Sequence, residues 1–339
     1  MVIKETIYSE SLKGDRDIYI YLPPGYEEES DREYAVLYMQ DGQNIFSEYG
    51  DAPVRWDVDT TATDLIGSGE IEELIIVGVS NSEWRDDEYT PTADAGEGTG
   101  GYADDYMEFL IDELKDHIDS HYRVKPFRHD TAIAGSSLGG LLSLYAAIQY
   151  PDYFGKIAAI SPALWWDEHI IFSMAKEWPV TPDELRVWID IGYNEDEEDD
   201  EDGGEDAEVG SGSENDEDAG VDEDAGDDED AEDDEDAEEE DVEEVDEEEE
   251  DAGDDDGSAG DDSSEASGDE DDVDSVEDAR TLRAILVEKG FVEGKNLLYF
   301  EDPWGHHDEI SWGGRIGLVL KFLFGVSREA PGDDDDDLE

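Results

Sequence analysis

The chain has 339 residues, with 104 Asp and Glu against 20 Lys and Arg, so its formal net charge at pH 7 is −84. It contains no cysteine, which excludes disulfides and thiolate metal sites. Because binding to a phosphate backbone requires a basic face, and this composition offers none, we expect no nucleic-acid partner.

The N-terminal segment MVIKETIYSESLKGD contains no apolar run of signal-peptide length. No other stretch reaches the roughly 18 apolar residues of a membrane span. We therefore expect a cytoplasmic protein with no membrane partner. The next segment, RDIYIYLPPGY, alternates with period two and stops at Pro23-Pro24, which predicts antiparallel strands in the N-terminal part.

From Tyr34 onward the pattern changes to short runs that are apolar on both faces, which is typical of buried parallel strands. The runs are YAVLYMQ from Tyr34, ELIIVGVS from Glu73, TAIAG from Thr131, KIAAIS from Lys156, RVWIDIG from Arg186 and NLLYFED from Asn296. Segments with helical spacing begin at Tyr102, Leu138 and Val276. The third ends at Gly290, a suitable C-cap, and the last predicted helix is GGRIGLVLKFLFG. This alternation predicts an α/β fold with a doubly wound, mostly parallel sheet and an antiparallel N-terminal portion.

The segment from Glu195 to Asp278 contains 52 Asp and Glu among 84 residues, and no Lys, Arg or aromatic side chain. Such a segment cannot bury enough apolar surface to offset its ordering entropy. We therefore predict one α/β domain over residues 1–328, interrupted in a loop by a disordered acidic insertion at 196–275 and followed by an acidic tail at 329–339. The acidic spacing within the insertion does not match an EF-hand loop, so we expect no specific metal site.

Outside that tract the chain still carries 52 acidic residues against all 20 Lys and Arg, a formal charge of −32. At ordinary ionic strength this much like charge repels and favours an expanded chain. At about 1 M salt the Debye length falls to roughly 3 Å, and the repulsion is mostly screened. The composition thus predicts adaptation to molar salt. An acidic interaction protein working at ordinary salt is the alternative, but it explains the tract and not the acidic remainder.

The sharpest local motif is TAIAGSSLGGLLSLY, in which residues 135–139 fit G-x-S-x-G between a predicted strand and a predicted helix. Glycines on both sides of the turn allow strand and helix to approach closely and leave the hydroxyl of Ser137 exposed at the end of the strand. Ser137 is therefore the candidate nucleophile. A serine at its ordinary pKa is a poor nucleophile and needs a base within hydrogen-bond reach.

The candidate bases are His306 and His307, in the segment YFEDPWGHHDEISW. Nucleophile-elbow hydrolases place their histidine after the last core strand, with the acid between serine and histidine in the chain. Only these two of the six histidines satisfy that order. We interpret the others as surface or packing residues, namely His117, His121, His129 and His169.

Several segments together resemble the putative-esterase family of the α/β-hydrolase superfamily, which includes feruloyl esterases, relatives of S-formylglutathione hydrolase and esterases that open trilactone siderophores. They are AVLYMQDGQNIF, EYTPT, GSSLGGLLSLYAA, ISPALWWD, IGYNE and GHHDEISW. The resemblance spans nearly the whole chain except the acidic insertion and the tail. It implies an α/β-hydrolase fold, a Ser-His-acid triad that acts through an acyl-enzyme, and no metal or organic cofactor.

The resemblance also implies roles for particular residues. The family's histidine pattern matches HDEISW, which implies that His307 is the base and His306 a neighbour. The family's acid closes a turn after the seventh strand; GYNE fills that turn here, which implies Glu195. Asp196 and Asp190 remain open as alternative acids, because the acidic insertion begins immediately after the turn.

Acyl transfer also requires two hydrogen-bond donors for the developing oxyanion. The backbone N–H of Leu138, directly after the nucleophile at a helix N-terminus, supplies one. The resemblance implies that Gln43 supplies the second, because it follows the Asp41-Gly42 pair that ends the third strand. An ordinary turn at QDGQN is the alternative.

Three further residues are candidates for substrate binding. The segment SEWRDDEYTP resembles a family motif in which Arg85 either contacts the substrate or pairs with Glu88 to brace the loop, and bracing is favoured. Trp165 and Trp166 follow the end of a strand. They form the wall of an acyl or aromatic pocket, or they pack a cap helix.

These observations predict a carboxylic ester hydrolase, adapted to high salt, that acts on a small-molecule ester; the oligomeric state is left open. A siderophore trilactone esterase is the alternative within the enzyme class. A non-catalytic α/β-hydrolase scaffold, whose acidic arm binds cationic partners, is the alternative outside it. The complete set of nucleophile, base, acid and oxyanion positions argues against a scaffold.

Overall fold

The computed structural model describes residues 1–47, 54–195 and 274–326. The predicted tail, and all of the predicted insertion except Asp274 and Ser275, lie outside the described residues. Ser275 is already the first residue of a helix, so this helix begins at the last residue of the predicted insertion, one residue before the predicted helical start at Val276.

The described residues contain one large mixed sheet and one small hairpin. The strands are β1 (Val2–Ser9), β2 (Gly14–Tyr21), β3 (Ala35–Met39), β4 (Leu74–Val79), β5 (Ala93–Asp94), β6 (Thr99–Gly100), β7 (Thr131–Ser137), β8 (Lys156–Pro162), β9 (Arg186–Asn194) and β10 (Leu297–His306). Eight of them form the large sheet in the order β1-β2-β4-β3-β7-β8-β9-β10, and β5 pairs with β6. The six apolar runs are all strands of the large sheet.

The direction of the strands follows their hydrophobic pattern. Strands β1, β2 and β4 pair antiparallel, whereas β4, β3, β7, β8, β9 and β10 are mutually parallel. Every residue of β3, β4 and β8 is buried, as expected for strands covered on both faces. The predicted α/β fold with an antiparallel N-terminal portion is confirmed.

Helices cover both faces of the sheet. They are α1 (Val58–Gly67), α2 (Arg85–Glu88), α3 (Ala103–Glu108), a π-helical segment (Phe109–Lys115), α4 (Asp116–His121), α5 (Leu138–Gln149), α6 (Trp166–Glu177), α7 (Ser275–Glu288) and α8 (Glu309–Phe324). Helices α1 and α8 pack on one face, and α3 to α7 pack on the other. None of the helices described is long and apolar enough to cross a membrane.

Two helix ends show how local sequence sets the boundaries. Helix α7 ends as predicted, with Gly290 in the left-handed region at φ 100° just beyond it. Helix α8 begins four residues earlier than the predicted GGRIGLVLKFLFG, because Asp308 caps it by accepting a hydrogen bond from the Ser311 N–H at 2.7 Å.

The candidate residues meet at one edge of the sheet. Parallel strands β3, β7, β8, β9 and β10 all end there, and ligand sites of open α/β sheets lie at this carboxyl edge. Met39 pairs with Ala134, and Ser137 pairs with Pro162. The turn after β3, the elbow after β7 and the segments that follow β8, β9 and β10 are therefore neighbours.

Candidate active site

Ser137 lies at the junction of β7 and α5 in a conformation that few non-glycine residues adopt, with φ 55° and ψ −126°. Holding such a residue costs on the order of 1–3 kcal/mol, and the strain is typical of functional turns. The carbonyl of Ser137 accepts a hydrogen bond from the Ala163 N–H at 3.1 Å, which ties the turn to the segment after β8. The strand-turn-helix context predicted for the G-x-S-x-G motif is therefore present.

The glycines of the motif are required by close approach. A Cβ on Gly135 would lie 2.7 Å from the backbone of Gly139, so any side chain at this position would collide with the first turn of α5. Gly140, directly after the motif, is packed closely as well, because a Cβ there would lie 3.0 Å from the Cβ of Pro162. Strand and helix can meet at the serine only because these positions lack side chains.

His307 follows β10 and precedes α8, and its neighbours fix its position. Asp308 caps α8, and Glu309 Oε1 accepts a hydrogen bond from the amide of Asn44 at 3.1 Å. The edge of the imidazole meets Trp312, with ring centroids 5.0 Å apart and an interplanar angle of 87°. The side chain remains 39% exposed, so the ring is accessible from the cleft.

The neighbouring His306 has different surroundings. It is the last residue of β10, in register with Asn194, and its Nε2 lies 3.3 Å from the side-chain nitrogen of Asn194. It does not line the cleft that His307 lines. Elsewhere, His117 lies 2.8 Å from Glu5 and His169 lies 2.9 Å from Asp278, both outside this site.

Glu195 follows β9 and lies beside His307. Its Oε2 is 2.5 Å from His307 Nδ1, and its Oε1 accepts hydrogen bonds from the Gly192 N–H and the Ser161 hydroxyl, each at 2.6 Å. A Cβ on Gly192 would lie 2.7 Å from Oε1, so a glycine at this position leaves room for the carboxylate. The Glu195 side chain is only 2% exposed. The acid suggested by the GYNE turn is thus the carboxylate that contacts the imidazole.

The hydrogen bonds determine the charge of this carboxylate. Burial acts to raise the pKa of Glu195, but the hydrogen bonds from His307 and Ser161 outweigh it and hold the pKa below its ordinary value. Glu195 is therefore ionised at neutral pH. An ionised carboxylate at Nδ1 leaves Nε2 of the imidazole free to accept a proton.

A second buried carboxylate, Asp190, lies in β9 and makes different contacts. It accepts hydrogen bonds from Trp188 Nε1 at 2.7 Å and from the Ser161 N–H at 3.1 Å, and it pairs with Arg315 at 3.2 Å. Burial raises the pKa of Asp190 to about 6, against the attraction of Arg315. Asp190 therefore holds Arg315 and Ser161 in place beneath Glu195. The other alternative acid, Asp196, lies outside the described residues.

Arg315 and Ser161 link the two carboxylates, and sequence reasoning assigned neither of them a role. Arg315 is 2% exposed on α8, and its Nη2 donates to the Ser161 hydroxyl at 2.7 Å. The same hydroxyl donates to Glu195, so the guanidinium orients the Glu195 carboxylate through one intermediate group. Ser161 lies in the quoted segment ISPALWWD, and Arg315 is the only charged residue between Trp312 and Leu320.

The turn after β3 carries Gln43 beside the elbow. Gln40 N–H donates to the carbonyl of Ala134 at 3.2 Å, which joins this turn to β7. Gly42 packs so closely on β4 that a Cβ would lie 2.7 Å from the backbone nitrogen of Val79. The side-chain oxygen of Gln43 accepts a hydrogen bond from the Asn81 N–H at 3.2 Å.

Arg85 braces this turn from α2. Asp41 adopts a left-handed conformation with φ 55°, and both of its carboxylate oxygens accept hydrogen bonds from Arg85, at 2.9 and 3.0 Å. The expected pairing of Arg85 with Glu88 is wrong, because Glu88 forms a buried ion pair with Arg16 instead. Asn81 Nδ2 also donates to Asp41 at 2.7 Å. Arg85 thus holds the loop that contains Gln43.

A cleft of about 380 Å³ opens at this edge of the sheet. Its lining includes Glu195, His307, Trp165 and Ser275. Glu195 and Ser275, which lie on either side of the undescribed residues in the sequence, thus line the same cleft.

The two tryptophans separate into one surface residue and one core residue. Trp165 is 36% exposed and lines the cleft. Trp166 is 2% exposed, and its indole N–H donates to the carbonyl of Thr92 at 2.9 Å. The position of Trp166 therefore favours a role in packing, whereas Trp165 remains a candidate wall of the substrate pocket.

Ser137 and His307 are not joined by a hydrogen bond within the part of the chain that the structure describes. Both lie at the same cleft edge, since Ser137 contacts Ala163, and Ala163 lines the cleft together with His307. In unliganded enzymes such catalytic bonds are often long and tighten only with substrate.

Comparison with known proteins identifies the family. The family model described as Putative esterase matches residues 9–231. The chain belongs to the putative-esterase family. This membership, together with the relatives below, supports hydrolysis of a carboxylic ester.

Related sequences are between a quarter and a third identical to the chain over the residues that align. Uncharacterized protein YbbA of Bacillus subtilis is 30% identical over 202 residues, which cover 56% of this chain and 73% of that protein. An endo-1,4-beta-xylanase/feruloyl esterase of Xylanibacter ruminicola is 29% identical over 174 residues, 49% of this chain and 22% of that protein. A siderophore triacetylfusarinine C esterase of Aspergillus fumigatus is 28% identical over 155 residues, 43% of this chain and 50% of that protein.

Solved structures confirm the fold of this esterase. A ferulic acid esterase matches with a TM-score of 0.59 at 15% identity and covers 96% of this chain and 98% of its own. The enterobactin esterase FES of Shigella flexneri, in the presence of enterobactin, matches with a TM-score of 0.60 at 15% identity over 95% of this chain and 58% of its own. At this identity the likeness concerns the fold alone.

Proposed function

We propose that the protein is a serine carboxylesterase in which Ser137, His307 and Glu195 form the catalytic triad. The observation that carries the proposal is the contact between the buried carboxylate of Glu195 and His307 Nδ1, at 2.5 Å, beside a strained serine at a strand-helix elbow. A triad is recognised by such geometry and roles rather than by sequence position.

The proposed reaction has two halves. His307 Nε2 takes the proton of the Ser137 hydroxyl, and Ser137 Oγ attacks the ester carbonyl while Glu195 stabilises the imidazolium. The tetrahedral oxyanion accepts hydrogen bonds from the backbone N–H groups of Leu138 and Gln43. Collapse expels the alcohol with the proton from His307. Water then attacks the acyl-enzyme with the same histidine as base, which releases the acid and regenerates Ser137.

The two oxyanion donors have local support. Leu138 begins α5, so its N–H lacks a carbonyl partner within the helix and lies at the positive end of the helix dipole. Gln43 is held by the brace of Arg85, Asp41 and Asn81. Removing one such donor in a serine hydrolase costs roughly 3–4 kcal/mol in transition-state stabilisation.

Burst kinetics test the acyl-enzyme. With p-nitrophenyl acetate in molar potassium chloride, we expect a rapid release of one p-nitrophenol per protein before the slower steady state, because this activated ester acylates the serine faster than water removes the acetyl group. Intact mass spectrometry of quenched samples should show one added acetyl group. Hydrolysis by a route that never acylates the protein would contradict the mechanism.

The cleft lining bears on the class of ester. Glu97 and Glu195 are its carboxylates, and none of the described lining residues is a Lys or Arg. An iron(III) tris-catecholate is an anion and would be repelled here, whereas neutral acyl or aromatic esters would not. If the protein were a siderophore trilactone esterase, it would cleave iron(III) enterobactin with a higher kcat/KM than methyl ferulate or p-nitrophenyl acetate. We expect the two simple esters to have the higher kcat/KM.

We also propose that the enzyme is adapted to molar salt. Outside the acidic tract the formal charge is −32, and this repulsion is screened only when the Debye length is short. We expect helical circular dichroism and activity to be lost as potassium chloride falls from molar to about 0.1 M, where the Debye length is about 10 Å. An unchanged spectrum and melting temperature at low salt would contradict this adaptation.

A further inference from the structure

A second, larger cleft lies at the opposite edge of the sheet from Ser137. Its volume is about 700 Å³, and it is lined at the beginnings of the parallel strands β8, β9 and β10. Strand β8 runs from Lys156, in this cleft, to Ser161 and Pro162 at the triad edge. At about 3.3 Å per residue, the two sites are roughly 17 Å apart along the strand.

Lys156 is the central cation of this cleft. It is 8% exposed, and its ammonium lies 4.2 Å from the ring centroid of Phe324. Within the described ranges its ammonium forms neither an ion pair nor a hydrogen bond. Burial lowers the pKa of Lys156 to about 8, because the attraction of Glu72 and Asp130 does not offset the desolvation of the ammonium.

Arg186 is the direct cross-strand partner of Lys156. Its Nη1 donates to the carbonyls of Phe322 and Leu323 at 3.3 Å each, and it forms no ion pair with a carboxylate of the described chain. Its positive charge acts together with burial to lower the pKa of Lys156. An anion held between the two side chains would offset this repulsion.

The other charges around the cleft are largely matched with one another. Arg128 pairs with Glu184 at 3.0 Å, and Lys295 pairs with Asp183 at 2.7 Å. Glu72 and Asp130 share one cation, Lys125, at 3.6 and 3.8 Å, and both carboxylates attract the Lys156 ammonium without reaching ion-pair distance. Lys156 and Arg186 are the two cations of the described lining that have no carboxylate within ion-pair distance.

This arrangement is unusual for the composition of the chain. The cleft is lined by four of the 20 Lys and Arg, namely Arg128, Lys156, Arg186 and Lys295. Three carboxylates line it as well, namely Glu72, Asp183 and Glu184, so the lining carries a formal charge of +1 in a protein of formal charge −84. A positively charged lining favours a ligand of opposite charge. Leu185 and Phe324 give the same cleft an apolar wall.

We propose that this cleft is a binding site for a phosphate or sulfate group, held between the Lys156 ammonium and the Arg186 guanidinium. The two cations present one ammonium and one planar fork of N–H donors, which together suit the several oxygens of a dianion. The volume and the apolar wall accommodate a larger molecule that carries the group. The site is independent of the proposed ester hydrolysis, because it lies at the other edge of the sheet.

Thermal unfolding at constant molar potassium chloride tests the site. Sulfate keeps its charge across the useful pH range, so we expect millimolar sulfate to raise the melting temperature of the parent in a saturable manner. Lys156→Met should abolish the saturable rise while keeping the buried volume. Lys4→Met removes the same charge from an exposed position paired with Asp17 and should behave like the parent.

The pH dependence gives a second readout. The anion favours the protonated Lys156, whose pKa without ligand is about 8, so the affinity should be constant below pH 7 and should fall by up to about tenfold per pH unit above pH 8. Lys156→Met should remove this dependence. Arg186→Gln, at an exposed position, should weaken sulfate binding without risk to the core, and ester hydrolysis by all these variants should match the parent.

Binding of two ligands, adenosine monophosphate and inorganic phosphate, identifies the source of the anion, and two results would contradict the proposed site. Tighter binding of adenosine monophosphate than of inorganic phosphate would indicate a group carried by a larger ligand, and equal binding would indicate the free ion. Sulfate also stabilises proteins generally by exclusion from their surface. An equal rise in melting temperature in the parent and in Lys156→Met would therefore refute the site, as would the absence of any saturable rise in the parent.

Discussion

Replacing Ser137 with alanine is expected to lower kcat for p-nitrophenyl acetate on the order of 10⁵-fold or more, because loss of the nucleophile removes the covalent route altogether. The backbone at Ser137 is fixed by β7, α5 and the Ala163 hydrogen bond, so the variant should fold like the parent. Labelling by a fluorophosphonate should also be lost, since the reagent reacts only with an activated hydroxyl. Both measurements are made in molar potassium chloride.

Ser136→Ala is the matched control. Ser136 is the preceding residue of β7, is 4% exposed and pairs with Ile160, so the same change of chemistry falls one residue away from the elbow. We expect it to retain activity within a few-fold and to be labelled normally. Labelling that survives in Ser137→Ala, or disappears in Ser136→Ala while the protein remains folded, would assign the nucleophile to another residue.

Much of the fold could be predicted because the parallel strands are buried on both faces. An apolar run such as YAVLYMQ has few structural alternatives to a buried strand once it is flanked by polar turns. Strand β3 lies within this run. Helix α8 began earlier than its apolar pattern indicated, because Asp308 extends it through a capping hydrogen bond. Capping acts through one side chain, so it leaves a weaker trace in the sequence than a hydrophobic stripe does.

Site residues could be predicted from the sequence where a local turn motif places them. Their contact partners could not be predicted where these partners come from other strands of the sheet. The family motif suggested Glu88 as the partner of Arg85, but the adjacency of β3 and β4 brings Asp41 to it instead. The two tryptophans could not be told apart, because only packing against the hairpin β5–β6 decides which one is buried. An arginine in the apolar helix α8 was a usable signal, since a buried charge requires a partner.

Replacing Glu195 with glutamine is expected to lower kcat/KM by roughly 10³- to 10⁴-fold, close to the loss when a triad aspartate becomes an amide. The amide keeps the shape of the carboxylate but no longer stabilises the imidazolium, and it can present an N–H to His307 Nδ1 instead of an acceptor. Ser161 and Gly192 donate to the other oxygen, so the side chain should stay in place.

Asp190→Asn and Asp196→Asn are the matched controls, because each removes one carboxylate of the same stretch. Asp190 pairs with the buried Arg315 at 3.2 Å, so its loss should lower the melting temperature, whereas the folded variant should keep activity within about tenfold. Asp196→Asn should behave like the parent. If Glu195→Gln retained parental activity, or if a folded Asp190→Asn or Asp196→Asn lost as much activity as expected for Glu195→Gln, the acid of the triad would lie elsewhere in this stretch. The comparison therefore separates a carboxylate that stabilises the reacting imidazole from one that holds Arg315 beneath the site.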